Sequence, residues 1–230
     1  LWETRPREQS PPRPATGPPA PPPGASEIDL KALLASAGLP VPRNRPATGR
    51  DDAASAVGQV GGRAVLKAVV PGLLHKTEAG GVLLGVTRAD APAAYDRLVA
   101  LGGGVLVEEM VDGGAELLVG VAPSSLGQVL TLASGGVLAE VIDDAVFRLL
   151  PVGETDAREM VTELRGAAVL HGVRGRPALD VEALVGLLVD VSALVEGWPA
   201  GYELDLNPVV VLQDGVRLLD AAYVAPGLDG

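Results

Sequence analysis

The chain has 230 residues, is 47% hydrophobic but only 3% aromatic, and carries 29 acidic against 18 basic side chains, a formal net charge of -11. That is enough apolar material for a Val/Leu/Ala core, in one large domain or two small lobes. The absence of cysteine excludes a disulfide scaffold and a thiolate metal site. Acidity and scarce aromatics argue against nucleic acid as a partner, and no apolar run approaches the ~20 residues of a membrane helix, so no membrane partner is expected either. No secretory signal is visible, which fits a cytoplasmic protein.

Residues 1–25 hold nine of the 20 prolines, among them Pro21, Pro22 and Pro23, with few large apolar residues. Such a stretch cannot bury enough surface to fold alone and is expected to be an extended or disordered linker, read as a spacer rather than a proline-motif ligand. A spacer, and a first residue that is not Met, fit one domain of a longer polypeptide with further domains upstream.

The body runs from 26 to 225. Ser26 with Asp29 reads as a capping box, Ile28, Leu30, Leu33 and Leu34 as the apolar face of a first helix, and Gly38 as its end. Strands are expected at 64–70 and 81–86 and a helix around 92–101. A dense run of strands at 105–110, 116–121, 129–132, 137–142 and 147–150 follows. Helices at 156–164 and 180–195 precede strands at 202–206, 209–212 and 216–219. This mixed order with a β-rich middle predicts an α+β or α/β body of two lobes, a small one at about 26–107 and a large one at about 108–225.

Lysine is rare: Lys31, Lys67 and Lys76 stand against 15 arginines. Lys67 lies inside an apolar strand, so it either meets an anion or sits on an edge strand facing water. Beyond it comes His75-Lys76-Thr77-Glu78-Ala79-Gly80-Gly81-Val82. Gly80 and Gly81 permit close backbone approach to a phosphate, and His75 and Lys76 add a titratable nitrogen and a cation; a plain hairpin loop is the alternative. Glu108, Glu109 and Met110 end one strand and Glu116 begins the next, where backbone groups suit an adenine edge and a carboxylate suits ribose hydroxyls, or where an acidic hairpin is merely solvated. Alternation places Glu203, Asp205 and Asn207 on one strand face. Three such oxygens suit magnesium, and Asp220 reaches the same ion if 209–212 and 216–219 form a hairpin; the wet face of a half-buried strand is the alternative.

Taken in order, Val65-Leu66-Lys67, His75-Lys76-Thr77-Glu78 with Gly80-Gly81-Val82, Val107 to Val111, Glu116 to Gly120, Gly135-Gly136-Val137 with Glu140 and Asp144, Arg174-Gly175 and Glu203-Leu204-Asp205-Leu206-Asn207-Pro208 resemble the ATP-grasp domain of NDP-forming acyl-CoA synthetases, including the ADP-forming acetate–CoA ligases. The β subunit of succinyl-CoA synthetase is a more distant likeness. The resemblance covers about 26–225. It implies a two-lobed ATP-grasp fold that binds ATP or ADP with magnesium. Lys67 would contact the phosphates, Glu108 to Met110 the adenine and Glu116 the ribose side. Asn207 and Asp220, with Asp205 nearby, would bind magnesium. His75 would pass a phosphoryl group between a phosphohistidine on a partner domain and ADP. The partners implied are the CoA-binding and ligase-CoA domains of the same enzyme.

Two segments depart from the family pattern. Ala122-Pro123-Ser124-Ser125-Leu126-Gly127 lacks the usual acidic residue and phenylalanine, and Ala133-Ser134-Gly135-Gly136 lacks a glycine. The resemblance places both near the nucleotide cleft. The altered Pro123–Leu126 segment motivates an alternative function, a non-catalytic ligand-sensing module such as those fused to acetyltransferases.

Overall fold

The computed structural model describes residues 17–70, 76, 79–136, 144–173, 175 and 177–227. The chain divides into two compact units, Gly24–Ala32 with Val41–Gly113, and Leu1–Pro23 with Leu33–Pro40 and Gly114–Gly230. Each is built on an antiparallel sheet with helices, an α+β architecture as expected. The boundary falls at Gly113/Gly114, not near 107, because the strand that ends at Glu109 belongs to the first unit's sheet.

Helix α1 (Glu27–Ser36) begins at the capping box. The Ser26 amide donates to Asp29 Oδ2 at 3.1 Å and the Asp29 amide to Ser26 Oγ at 3.3 Å, which satisfies two amides that have no partner within the helix. At its other end Gly38 has φ +83 and the Leu39 amide donates to the Leu34 carbonyl at 3.0 Å, a closure that favours glycine.

The smaller unit continues with β1 (Asn44–Ala47), α2 (Arg50–Val60), β2 (Arg63–Val69), β3 (Val82–Thr87), α3 (Ala91–Val99) and β4 (Gly104–Glu109). The sheet order is β1-β4-β2-β3. No element is expected from the sequence over residues 39–63; the buried set Ala53, Ala56, Val57 and Val60 has helical spacing, but it is made of small alanine and valine side chains and gives a faint apolar stripe. One face of the sheet, with Ala64, Leu66 and Ala68 of β2 and Val105 and Val107 of β4, packs in one core with α2 and α3. Strand alternation therefore turns Val65, Lys67, Leu106 and Glu108 to the opposite face.

The larger unit holds β5 (Ala115–Ser124), β6 (Gly127–Ser134), β7 (Ala145–Leu149), α4 (Glu154–Glu163), a 3-10 turn (Arg165–Val169), α5 (Val181–Val195), β8 (Glu203–Val211), β9 (Val216–Leu218) and β10 (Ala222–Val224). The order is β10-β8-β5-β6-β7, with β9 also on β8. The two strands expected at 202–206 and 209–212 are one strand running through Pro208. The strand expected at 137–142 lies outside the described residues.

The described part of the proline-rich segment is docked rather than free. Trp198 Nε1 donates to the Pro18 carbonyl at 3.1 Å, Pro21 is buried, and a Cβ on Gly17 would stand 2.8 Å from Leu194 Cδ1. Composition could not foresee this, because the partner surface comes from residues about 180 positions away.

Candidate active site

In the smaller unit all three lysines of the chain meet two carboxylates. Lys67 is on β2, which lies between β4 and β3, so it is not an edge-strand lysine, and it is 6% exposed. Its Nζ stands 2.7 Å from Glu108 Oε2 and 3.2 Å from Glu27 Oε1. Lys31 Nζ pairs with Glu108 Oε1 and lies 3.1 Å from Glu27 Oε1. Glu27, Lys31, Glu108 and Lys67 thus close a ring of alternating charge. Lys76 joins it from outside, with Nζ 2.6 Å from Glu27 Oε2.

Electrostatics follow from this geometry. Burial works to raise the pKa of Glu27, but Lys67, Lys31 and Lys76 outweigh it and bring the carboxyl down to about 2. Burial, with repulsion from Lys67, lowers the pKa of Lys31 against the pull of Glu108 and Glu27. Sequence reading missed Glu27 and Lys31. The available signal was a Glu/Lys pair four apart on a helix, with the lysine flanked by Leu30, Leu33 and Leu34.

The glycine turn closes on itself. Gly80 has φ +70. The Gly81 amide donates to the Lys76 carbonyl at 2.7 Å, and a Cβ on Gly81 would lie 3.0 Å from that oxygen. Both glycines are therefore required by the turn itself, whatever approaches it. His75, Thr77 and Glu78 lie outside the described residues, as do Val137, Glu140 and Arg174. Glu109 is held by Arg43, whose Nε donates to Oε2 at 2.9 Å, and Met110 follows the end of β4, half-buried. The Glu108 carboxylate is committed to the lysine ring, and its residue pairs with Asn44 of β1 and Val65 of β2.

In the larger unit, Glu203, Asp205 and Asn207 are exposed while Leu204 and Leu206 are buried, the alternation expected. The 209–212 and 216–219 segments do form a hairpin, with Val209 opposite Leu218. It returns the chain so that the Asn207 amide donates to the Asp220 carbonyl at 3.2 Å. Desolvation, then repulsion from Asp220 and Glu203, holds the Asp205 carboxyl above the usual carboxylate range. A divalent cation would relieve that repulsion. Two carboxylates and an amide fit magnesium, which keeps water and phosphate oxygens as further ligands. Among the described residues no cluster of three or more His, Asp or Glu could hold an ion alone.

Glu116 is exposed on β5, at a cavity of about 190 Å³ whose lining includes Ser134, Asp144, Gly166 and Leu170. Asp144, 6% exposed, clasps this wall. It accepts from Ser134 Oγ at 2.6 Å, the Arg165 amide at 2.8 Å and the Gly166 amide at 2.8 Å. Burial would raise its pKa, but these donors lower it. The two departures from the family pattern separate here. Ser134 belongs to the clasp. Pro123–Gly127 is the turn end of the β5–β6 hairpin, with Gly127 seven residues along β6 from Ser134, roughly 24 Å at ~3.4 Å per residue. Its Ser124 Oγ donates to the Gly127 carbonyl at 2.7 Å, an ordinary turn lock.

This fold and these residues define an ATP-grasp domain: the family model of that description matches residues 25–224, and the chain belongs to that family. More particularly, it is homologous to the ATP-grasp β subunits and domains of ADP-forming acyl-CoA ligases. It is 33% identical over 215 residues to the β subunit of acetate–CoA ligase [ADP-forming] II of Pyrococcus furiosus, covering 87% of this chain and 91% of that one. It is 37% identical over 184 residues to acetate–CoA ligase [ADP-forming] I of Archaeoglobus fulgidus, covering 76% of this chain but only 27% of that ligase. Among solved structures it is similar to the dinucleotide forming acetyl-coenzyme A synthetase 1 of Ca. Korarchaeum cryptofilum, with TM-score 0.76, 30% identity and coverage of 86% and 92%. That protein was solved with coenzyme A and Mg-AMPPCP, its phosphohistidine segment pointing towards the nucleotide binding site. No described helix is long and apolar enough to cross a membrane.

Proposed function

We propose that this domain binds ATP or ADP with magnesium and relays a phosphoryl group between the nucleotide and a phosphohistidine, as the nucleotide-binding part of a cytoplasmic acyl-CoA ligase catalysing acyl-CoA + ADP + phosphate ⇌ acid + CoA + ATP. The observation that carries the reading is the gathering of Lys31, Lys67 and Lys76 with two carboxylates, a cationic site in a chain of net charge -11. Lys67 and Lys76 would contact the phosphates beside the Gly80-Gly81 turn. Main-chain groups of Glu108, Glu109 and Met110 would meet the adenine and Glu116 the ribose. Asn207, Asp220 and Asp205 would hold magnesium, which when bound would offset charge on the phosphoryl oxygens.

His75 would accept the phosphoryl group from the partner's phosphohistidine and hand it to the terminal oxygen of ADP. A neutral imidazole is a competent nucleophile near pH 7, and each transfer frees one imidazole as the phosphorus–nitrogen bond breaks. The acid and CoA would be held by the CoA-binding and ligase-CoA domains, as a neighbouring part of the chain or a separate subunit. To test this, the domain is mixed with a phosphorylated partner domain and ADP. ATP should form with the wild type and fall sharply with His75→Ala. No ATP from the wild type refutes the relay, and undiminished ATP from His75→Ala refutes the role of His75.

A further inference from the structure

Three features of the lysine ring ask for a reason beyond packing. First, a chain with 15 arginines places its three lysines here and nowhere else. An ammonium is a compact cation with three donors that two carboxylates can share, whereas a guanidinium is a flat fork. Second, exposure rises in order across the three: the side chain of Lys31 is 0% exposed, Lys67 8% and Lys76 16%. Lys31 is the closed back of the ring, and Lys76 is its rim. Third, one carboxylate touches all three. Glu27 Oε1 lies 3.1 Å from Lys31 and 3.2 Å from Lys67, and Oε2 lies 2.6 Å from Lys76. Glu27 is itself fixed, because it sits in the first turn of α1 within the Ser26–Asp29 capping box.

Buried ion pairs often add little net stability over apolar residues of the same shape. What such a ring does provide is orientation. An unrestrained lysine has four rotatable side-chain bonds, and stilling them costs side-chain entropy when an anion binds. A carboxylate bridging two ammonium groups removes that cost before the ligand arrives. Without Lys31, Glu27 and Glu108 would balance Lys67 and Lys76 one for one. With it, these five groups keep a cationic excess facing the rim.

We propose that Glu27 is a positioning residue which holds Lys67 and Lys76 as a paired anchor for the β- and γ-phosphates of the nucleotide, with Lys31 and Glu108 closing the ring behind it. The inference rests on the nucleotide reading above and adds to it a dependence on phosphate number. AMP lacks the groups the pair would hold, so it should be indifferent to Glu27.

The test measures binding of AMPPCP with magnesium, of ADP with magnesium and of AMP to the 230-residue chain by calorimetry, for the wild type, Glu27→Gln and Glu27→Asp. Glu27→Gln should weaken AMPPCP and ADP tenfold or more and change AMP less than twofold. Glu27→Asp, which keeps the charge but retracts it by one methylene, should fall between. A merely structural role would weaken all three ligands together. Equal losses, or unchanged AMPPCP affinity, overturn the inference while leaving the nucleotide reading intact. Absence of wild-type binding overturns both.

A second measurement needs no variant to fold. Side-chain ammonium NMR of this chain contains at most three lysine signals, and those of Lys67 and Lys76 should shift together on addition of AMPPCP. A shift of neither, or of Lys31 alone, overturns the pairing.

Discussion

Protonating Glu27 should dismantle the lysine ring, and the pH at which this happens is set by the structure. An ordinary glutamate titrates at 4.5 and Glu27 in the folded chain at about 2. Its carboxyl is 2% exposed, so solvent screening takes little from the interaction. At ~1.4 kcal/mol per pH unit the difference is worth about 3 kcal/mol of folding free energy. The folded pKa is the lower one, so this contribution is complete above pH 4.5. It is lost as the pH falls from 4.5 towards 2. Other carboxylates titrate in the same window, among them Asp144, so the wild type alone cannot isolate the effect.

Glu27→Gln does isolate it. The variant cannot titrate, and it leaves Lys31, Lys67 and Lys76 without their shared negative charge at every pH. Urea unfolding followed by circular dichroism, at pH 7, 5, 4, 3 and 2, gives the free-energy gap between the two chains. The gap should be constant from pH 7 to 5 and shrink by about 3 kcal/mol by pH 2. A gap that stays constant across the range would refute the claim that Glu27 is ionised and held by the three lysines.

Other substitutions test the larger unit. Asp144→Asn keeps the side chain's shape but loses the charge that accepts from Ser134, Arg165 and Gly166; it should cost about 1–3 kcal/mol in urea unfolding, and Ser134→Ala less. Gly135→Ala would set a Cβ 2.7 Å from the Glu116 carbonyl carbon and oxygen. Backbone cannot yield as a side-chain tip can, so a loss of about 1–3 kcal/mol is expected, with weaker nucleotide binding because Glu116 moves; unchanged affinity by calorimetry would detach Glu116 from the site. Trp198→Phe removes the donor to the Pro18 carbonyl while keeping a ring against Tyr202 and Tyr223. Limited proteolysis should then cut 17–23 faster with little change in the rest of the chain. Asp205→Asn should weaken the magnesium dependence of AMPPCP binding at least tenfold, read by titrating magnesium at fixed nucleotide.

Much of the fold was legible because strands and helices write their period into the chain. The capping box at Ser26 and Asp29, the alternation of Leu204 and Leu206 with Glu203, Asp205 and Asn207, and the hairpin returning to Asp220 all rest on neighbours within about twenty residues. Helix α2 was not legible, since its short face of two alanines and two valines buries well against a sheet but gives only a faint apolar stripe among polar neighbours. The split of the departures was not legible either. Pro123 and Ser134 are close in sequence, but a hairpin carries them to opposite ends of its ladder.

The lysine ring divides the two kinds of knowledge most clearly. Reading along the chain is enough to show that lysine is scarce, that Lys67 sits in an apolar strand, and that Lys76 lies beside a glycine turn. The sequence also carried the ordered motifs that place the chain among ATP-grasp domains. It left open whether Lys67 faced water at an edge or an anion inside. Long-range packing answers it, by setting β2 between β4 and β3 and bringing Glu27 and Lys31 to residues 40 and 77 positions away. Periodicity records which way a side chain points from its own backbone. Which charge it meets there depends on how distant segments pack, and that information resides in no local stretch of the chain.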